Sequence, residues 1–273
     1  PALIYRRVTF RCSMRRSAPL LAAALVLLAA CATRPPADDP EAVAEFRQNN
    51  DPAEPFNRAM LDVHQGIDRA VLIPAARGYR TVVPQPVREG IRNVLGNLRT
   101  PVILVNDMLQ GEPRRAGDTL GRFVINTTLG LGGIFDVAAT RFDVHGHTED
   151  FGQTFARWGI GEGPYLFIPI LGPSNPRDLT GSVADVAADP LTWFGQGVAV
   201  NALTGSRAGL TVVYTRETLL DPLERLERDS LDYYATLRSI YRQRRQAEID
   251  NRLDGAAGAA ASGTGFGVGN QGR

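Results

Sequence analysis

"GRFVINTTLGLGGIFDVA", residues 121–138, decides how the rest of the chain is read. Phe123, Ile125, Leu129, Leu131, Ile134 and Phe135 give it the apolar density of a membrane segment, yet Asn126, Thr127, Thr128 and Asp136 interrupt it. Gly130, Gly132 and Gly133 break its regularity further. Three readings are open: a buried core, a span, or a segment that touches lipid without crossing it. The surrounding sequence has to decide between them.

A chain of 273 residues with 44% hydrophobic and 22% charged residues is long enough to bury a core, as one large domain or two small ones. Every basic residue is Arg. Arg6, Arg7, Arg11, Arg15 and Arg16 precede Cys31 and no acidic residue does, so the net charge of +1 hides a net acidic body. An acidic body without a basic patch interleaved with aromatics argues against nucleic acid as a partner.

After Met14-Arg15-Arg16 comes "SAPLLAAALVLLAAC", a basic start and an apolar stretch too short to span a bilayer comfortably. It reads as an export signal over residues 1–30, with the true start at Met14 and residues 1–13 as upstream sequence. Leu28-Ala29-Ala30-Cys31 resembles a bacterial lipobox, in which the Cys is lipidated and becomes the first mature residue; the alternative is an ordinary signal peptide with Cys31 there by chance. Cys12 falls in the removed segment and Cys31 carries lipid, so no pair remains for a disulfide and the body must hold by packing. Ala32 after the Cys resembles an outer-membrane sorting address. Triacylation at about 0.8 kcal/mol per buried methylene holds such a protein on the membrane persistently.

Residues 31–50 form a Pro/Asp-rich lipidated tether, and a helical domain is expected over 51–251. Asp51-Pro52 is read as a helix cap followed by Pro at the first helical position. Phe56, Met60, Val63, Ile67 and Val71 continue it at helical spacing until Pro74. Pro86 opens a segment with Val87, Ile91, Val94, Leu95 and Leu98 on one face; Pro101 opens another, closed by Gly111; Pro113 precedes a third that runs toward Ile125. Residues 177–190 and 197–205 read as helices, and 221–251 is the longest helical pattern. Residues 252–273 lack apolar mass and are expected to be disordered. In 158–178 Gly and Pro come too often for a helix. That stretch reads as an extended, glycine-hinged loop, with a buried strand or an exposed apolar hairpin as alternatives.

Few chemical sites stand out. His145-Gly146-His147 with Glu149 and Asp150 offers metal-ligand residue types, but its spacing matches no helical ligand pair, so it reads as a solvated turn and no metal site is assigned. Ser174 lacks the surroundings of a nucleophile elbow, and "GLGG" lacks the Lys-Ser/Thr of a phosphate loop. No catalytic residue and no cofactor is expected.

"DPAEPFNRAM", "VPQPVREGIRNVLGNLRTPVILVNDMLQGEP", "RFVINTTLGLGGIFDVA", "EDFGQTFARWGIGEGPYLFIPILGPSNPRD" and "DPLTW" together resemble the MlaA (VacJ) family of outer-membrane lipoproteins, over Asp51 to Trp193 and in the same order. The resemblance implies an all-α, single-domain ring of short amphipathic helices around a central amphipathic channel, with a Gly-rich hairpin loop. It implies a protein anchored to the outer membrane on its periplasmic side. That protein would remove mislocalised phospholipids from the outer leaflet and pass them to a periplasmic lipid carrier, alongside a trimeric porin. By the same resemblance, residues 158–171 correspond to the hairpin lining the channel; Gly159 and Gly161 match its hinge glycines, with Gly163 and Tyr165 beside them.

On this reading residues 121–138 are a poor span, because unpaired polar groups in hydrocarbon are costly. A bent segment inside one leaflet fits better. Phe123, Leu129, Leu131 and Phe135 would face acyl chains or neighbouring helices, Gly130, Gly132 and Gly133 would shape the bend, and Asn126 would face the channel or cap a helix end. The alternative function is a lipoprotein that scaffolds porins without moving lipid. A lipid hydrolase is a third, disfavoured by the missing elbow.

Overall fold

In the computed structural model, the structure describes residues 49–193 and 198–252, with Asp39, Glu41 and Val43 before them; the signal segment, Cys31 and the Gly/Ala-rich tail lie outside the described residues. Helix follows helix from Glu54 onward: α1 (Glu54–Ile67), a π-helical turn (Asp68–Leu72), α2 (Ile73–Val82), α3 (Gln85–Leu109), α4 (Pro113–Thr128), α5 (Val137–Phe142) and α6 (Phe151–Arg157). A hairpin of β1 (Leu166–Ile168) and β2 (Gly172–Ser174) follows, then α7 (Pro176–Ala188), α8 (Pro190–Trp193), α9 (Val198–Thr218), α10 (Leu220–Asp229) and α11 (Tyr233–Ile249). The fold is mostly helical. Its hairpin, antiparallel with Leu166 opposite Ser174 and Ile168 opposite Gly172, realises the strand alternative for the glycine-rich loop.

Several helix boundaries differ from the sequence reading, each for a physical reason. Asp51 does not cap α1, which starts at Glu54 behind Ala53 with Pro55 in its first turn. Asp51 is buried instead and accepts hydrogen bonds from Asn57 Nδ2 (2.8 Å) and Arg238 Nη1 (2.7 Å). Pro74 does not end a helix, because the π turn re-phases the chain and places Pro in the first turn of α2, where its missing N–H costs nothing. Pro101 lies inside α3, the longest described helix at 25 residues, held by packing along α4. The expected long helix of 221–251 is cut at Ser230, since Asp232 is pulled out to cap α11 through Ala235 N–H and to form a bidentate pair with Arg58.

Neighbours in sequence pair, α3 with α4 and α6 with α7, and distant segments meet as well, α2 with α9 and β1 with α1. The one apolar cluster among the described residues joins Leu61 of α1, Tyr165 and Phe167 of the hairpin, and Tyr234 and Leu237 of α11. Elsewhere the burial pattern runs opposite to that of an ordinary soluble domain. The largest fully buried side chains are Gln153, Glu149, Asn57, Asn106, Thr154 and Asp107, while Phe56, Val63 and Val71 of the α1 apolar stripe stand exposed. Many of the buried polar groups are bonded to one another, which offsets the loss of water: Thr154 Oγ1 donates to Asn106 Oδ1 (2.6 Å), and Arg245 bridges Asp150 (2.7 Å) and Asp178 (2.8 Å).

Candidate lipid-contact site

The stretch 121–138 is a helix that ends in a rigid corner. α4 stops at Thr128, and Leu131, Gly132 and Gly133 then take left-handed backbone angles in succession (φ 52°, 71° and 94°). The turn closes on the helix end: Gly132 N–H donates to Thr127 O (2.9 Å), Gly133 N–H to Asn126 O (2.8 Å) and Phe135 N–H to Gly130 O (3.0 Å). Two glycines are required by contact. A Cβ on Gly130 would stand 2.3 Å from Phe135 O, and one on Gly133 would stand 2.6 Å from Asn97 Cβ on α3.

The polar residues that make this stretch a poor span bolt the corner together. Asn126 is buried, donates to Asp136 Oδ1 (2.9 Å) and accepts from Ala138 N–H (2.9 Å). Asp136 caps α5 through Ala139 N–H and also accepts from Arg122 (2.9 Å). Although burial pushes its carboxyl the other way, Arg122 and Asn126 hold it below the usual carboxylate range. Asn97 Nδ2 donates to Thr127 Oγ1 (2.9 Å) and Asn93 Nδ2 to Ile134 O (3.0 Å), tying the corner to α3. Asn126 therefore serves as a brace and helix-end partner, not as a lining group. With Asn126 buried, Leu129 (61% exposed), Leu131 (66%), Ile134 and Phe135 stand exposed beside Thr127 and Thr128, and Leu120 and Val124 extend the exposed apolar surface along α4. Phe123 is only half-buried beside them.

The glycine-rich hairpin is anchored at both ends. Gly159 (φ 87°) closes α6, with its N–H on Ala156 O (2.9 Å). Gly163 (φ 73°) sits over Pro176, which a Cβ would meet at 3.1 Å, and its carbonyl accepts from Asn50 Nδ2 (2.5 Å). Gly161 has neither a positive φ nor a neighbour to clash with. Tyr165 is buried among Tyr234, Tyr241 and Leu237 and so roots the hairpin in the apolar cluster. Burial and nearby Asp51 push its phenol well above the usual range. Asn57, which sequence reasoning passed over, works as an edge strand would. Its Nδ2 donates to Tyr165 O (3.0 Å) and its Oδ1 accepts from Phe167 N–H (3.0 Å). The signal for it was an amide inside an apolar helical pattern. At the tip Ile170 takes φ 72°, its N–H donates to His64 Nδ1 (3.0 Å), and Leu171 is 74% exposed.

The segment 145–150 is not the solvated turn expected. Glu149 is 1% exposed, His147 Nε2 lies 2.9 Å from Asp107 Oδ1, and Asp150 caps α6 through Gln153 N–H. The three histidines pair with Ile170 N–H, Asp143 and Asp107, and none of these bonds reaches Ser174. Among the described residues, no helix is long and apolar enough to cross a membrane.

A helical chain with polar groups bonded inside and an apolar corner outside has the kind of exposed patch that marks contact with a membrane or a partner. The chain belongs to the MlaA lipoprotein family, whose model matches residues 49–248. Its relatives include the intermembrane phospholipid transport system lipoprotein MlaA of Haemophilus influenzae, 35% identical over 209 residues (76% of this chain and 82% of the relative). The protein of the same description from Escherichia coli is 38% identical over 198 residues, 71% of this chain and 76% of its own length. A solved structure described as the structural basis for maintenance of bacterial outer membrane lipid asymmetry superposes with a TM-score of 0.65 at 34% identity, covering 73% of this chain and 98% of that one.

Proposed function

We propose that this chain is an outer-membrane lipoprotein that takes phospholipids misplaced in the outer leaflet through a central amphipathic channel and hands them to a periplasmic lipid carrier. Cys31 anchors it on the periplasmic side, beside a trimeric porin. The observation that carries the reading is the reversed burial: carboxylates and amides are paired inside while Leu129, Leu131 and Phe135 stand bare on a rigid corner. Side chains so placed suit the acyl region of one leaflet. The names of the relatives support the lipid cargo. A phospholipid has a polar head and apolar tails, so its path must offer both surfaces. No bond is made or broken, and the step calls for no catalytic group or cofactor. Gly159 and Gly161 act as hinges of the loop along that path.

The test is the amount of phospholipid in the outer leaflet of cells lacking the gene, with wild type and Cys31→Ala restored separately. A rise on deletion, corrected only by the lipidatable form, is expected. Unchanged surface lipid with disturbed porin assembly would replace this reading with a scaffold role.

A further inference from the structure

Asp107, His147 and Glu149 come from two separate parts of the chain and converge. Asp107 lies in the last turn of α3, and the other two lie on the extended segment between α5 and α6. One ligand atom from each falls within 4.8 Å of the other two. Their side chains are 0%, 9% and 1% exposed, so this is an enclosed cluster and not a surface coincidence. His147 Nε2 and Asp107 Oδ1 lie 2.9 Å apart as a hydrogen-bonded pair, and opening that gap to roughly 3.4 Å gives the spacing of two ligands on a tetrahedral ion with bonds of about 2.0–2.2 Å.

We propose that Asp107, His147 and Glu149 form a structural binding site for a divalent transition metal of the Zn2+ class. One imidazole nitrogen with two carboxylate oxygens is a donor set that suits Zn2+, whereas Mg2+ and Ca2+ prefer oxygen alone. The carboxylates are already oriented by outer partners, as ligands are in built sites: Thr119 Oγ1 donates to Asp107 Oδ2 (2.6 Å) and Gln110 Nε2 to Glu149 Oε2 (2.7 Å). The cluster sets two carboxylates against one guanidinium and one imidazole. Arg115 is the guanidinium facing it, bonded to Glu149 Oε1 but 3.8 Å from Asp107. A divalent ion between the two carboxylates would offset their charge. It takes the Nε2 lone pair of His147, whose ring proton then resides on Nδ1, and Arg115 keeps the outer oxygen of Glu149. The ion would pin the segment that leads into α6, and so the base of the glycine-rich loop, against α3.

The experiment uses the mature lipoprotein in detergent micelles, stripped with EDTA and dialysed. Zn2+ is then titrated, with bound metal counted by mass spectrometry and Tm recorded. One equivalent is expected, with a rise in Tm of about 5 °C or more at saturation. Excess Mg2+ should not displace it. His147→Ala and Glu149→Gln should lose both effects. His145→Ala should keep them, because His145 pairs with exposed Asp143 outside the cluster. Arg115→Gln, which removes the competing cation, should tighten Zn2+ about tenfold. If the ligand variants fail to fold, Co2+ bound to wild type decides: visible bands of a low-symmetry nitrogen/oxygen site support the proposal, and the pale spectrum of hydrated Co2+ overturns it. Equal Zn2+ binding by wild type and His147→Ala overturns it as surface binding. No retained Zn2+ leaves Arg115 as the cluster's cation and overturns it too.

Discussion

Removing the Asn57 amide should cost more stability than any other single truncation on α1. Asn57 is fully buried and holds three bonds at once: to Asp51 (2.8 Å), to Tyr165 O (3.0 Å) and from Phe167 N–H (3.0 Å). Asn57→Ala leaves a carbonyl and an N–H of the hairpin without partners beside side chains that are 3% and 2% exposed, where water does not readily replace the amide. Each orphaned buried group costs about 1–3 kcal/mol, and the lost bond to Asp51 about 1 kcal/mol more, so the total is roughly 3–7 kcal/mol. Set against a stability of about 5–15 kcal/mol, that is a large share. In a domain of this size it corresponds to a fall in Tm of roughly 10–20 °C. The assay is thermal unfolding of the mature lipoprotein in detergent micelles by far-UV circular dichroism, with near-UV dichroism reporting the Tyr165–Tyr234–Tyr241 packing. Asn93→Ala, which loses one exposed bond to Ile134 O, serves as the control and should cost about 1 kcal/mol or less. If Asn57→Ala also falls within about 1 kcal/mol of wild type, the amide does not brace the hairpin and the reasoning fails.

The remaining expectations concern the corner, one acid and the loop. Gly130→Ala forces a Cβ to within 2.3 Å of Phe135 O and should destabilise by several kcal/mol, roughly 3 or more, whereas Gly132→Ala meets nothing within 4 Å and should cost only the left-handed backbone penalty of about 1–2 kcal/mol; equal urea midpoints would refute the distinction. Burial, with the Asp150 charge adding to it, raises the Asp185 carboxyl to about 6 from 3.8 despite the bond from Phe151 N–H, so the stability it contributes is full below pH 3.8 and lost as pH rises through about 6. Asp185→Asn should therefore gain on wild type as pH rises across that window, and parallel stability profiles for the two proteins would rule this out. Gly159→Val should impair phospholipid clearance from the cell surface with membrane anchoring intact, because Val resists φ 87°; Gly161→Val, free of that constraint, should be milder, and the reverse order would sink the hinge assignment.

Legibility followed the range of the forces involved. Pro113 opening α4 and Gly111 closing α3 are local matters of caps and backbone angles and stand where the sequence puts them, and the helix expected over 177–190 is present at 176–188. Pro101 and Pro74 misled because packing against α4 and a π turn outweighed a local preference. The polar residues of 121–138 cap the start of α5 and brace the corner as well, and the bracing is not legible locally because Asn126, Asp136 and Arg122 find one another only once the corner has folded. The burial of His147 and Glu149 is invisible locally because their partners are distant: Asp107 lies 40 positions from His147, and Arg115 lies 34 from Glu149.

The sequence by itself determined that the chain is helical, that residues 121–138 are too polar to span a bilayer, and that the family is MlaA, because helical periodicity, residue chemistry and ordered blocks need no third dimension. Only the tertiary structure decided which face of each segment turns outward. Periodicity marks an apolar stripe but not its direction, and in this chain Phe56, Val63, Leu129 and Leu131 point away from a bonded polar interior. That choice depends on whether carboxylates, amides and guanidinia from distant segments can satisfy one another, which is a property of their placement together and not of any one stretch.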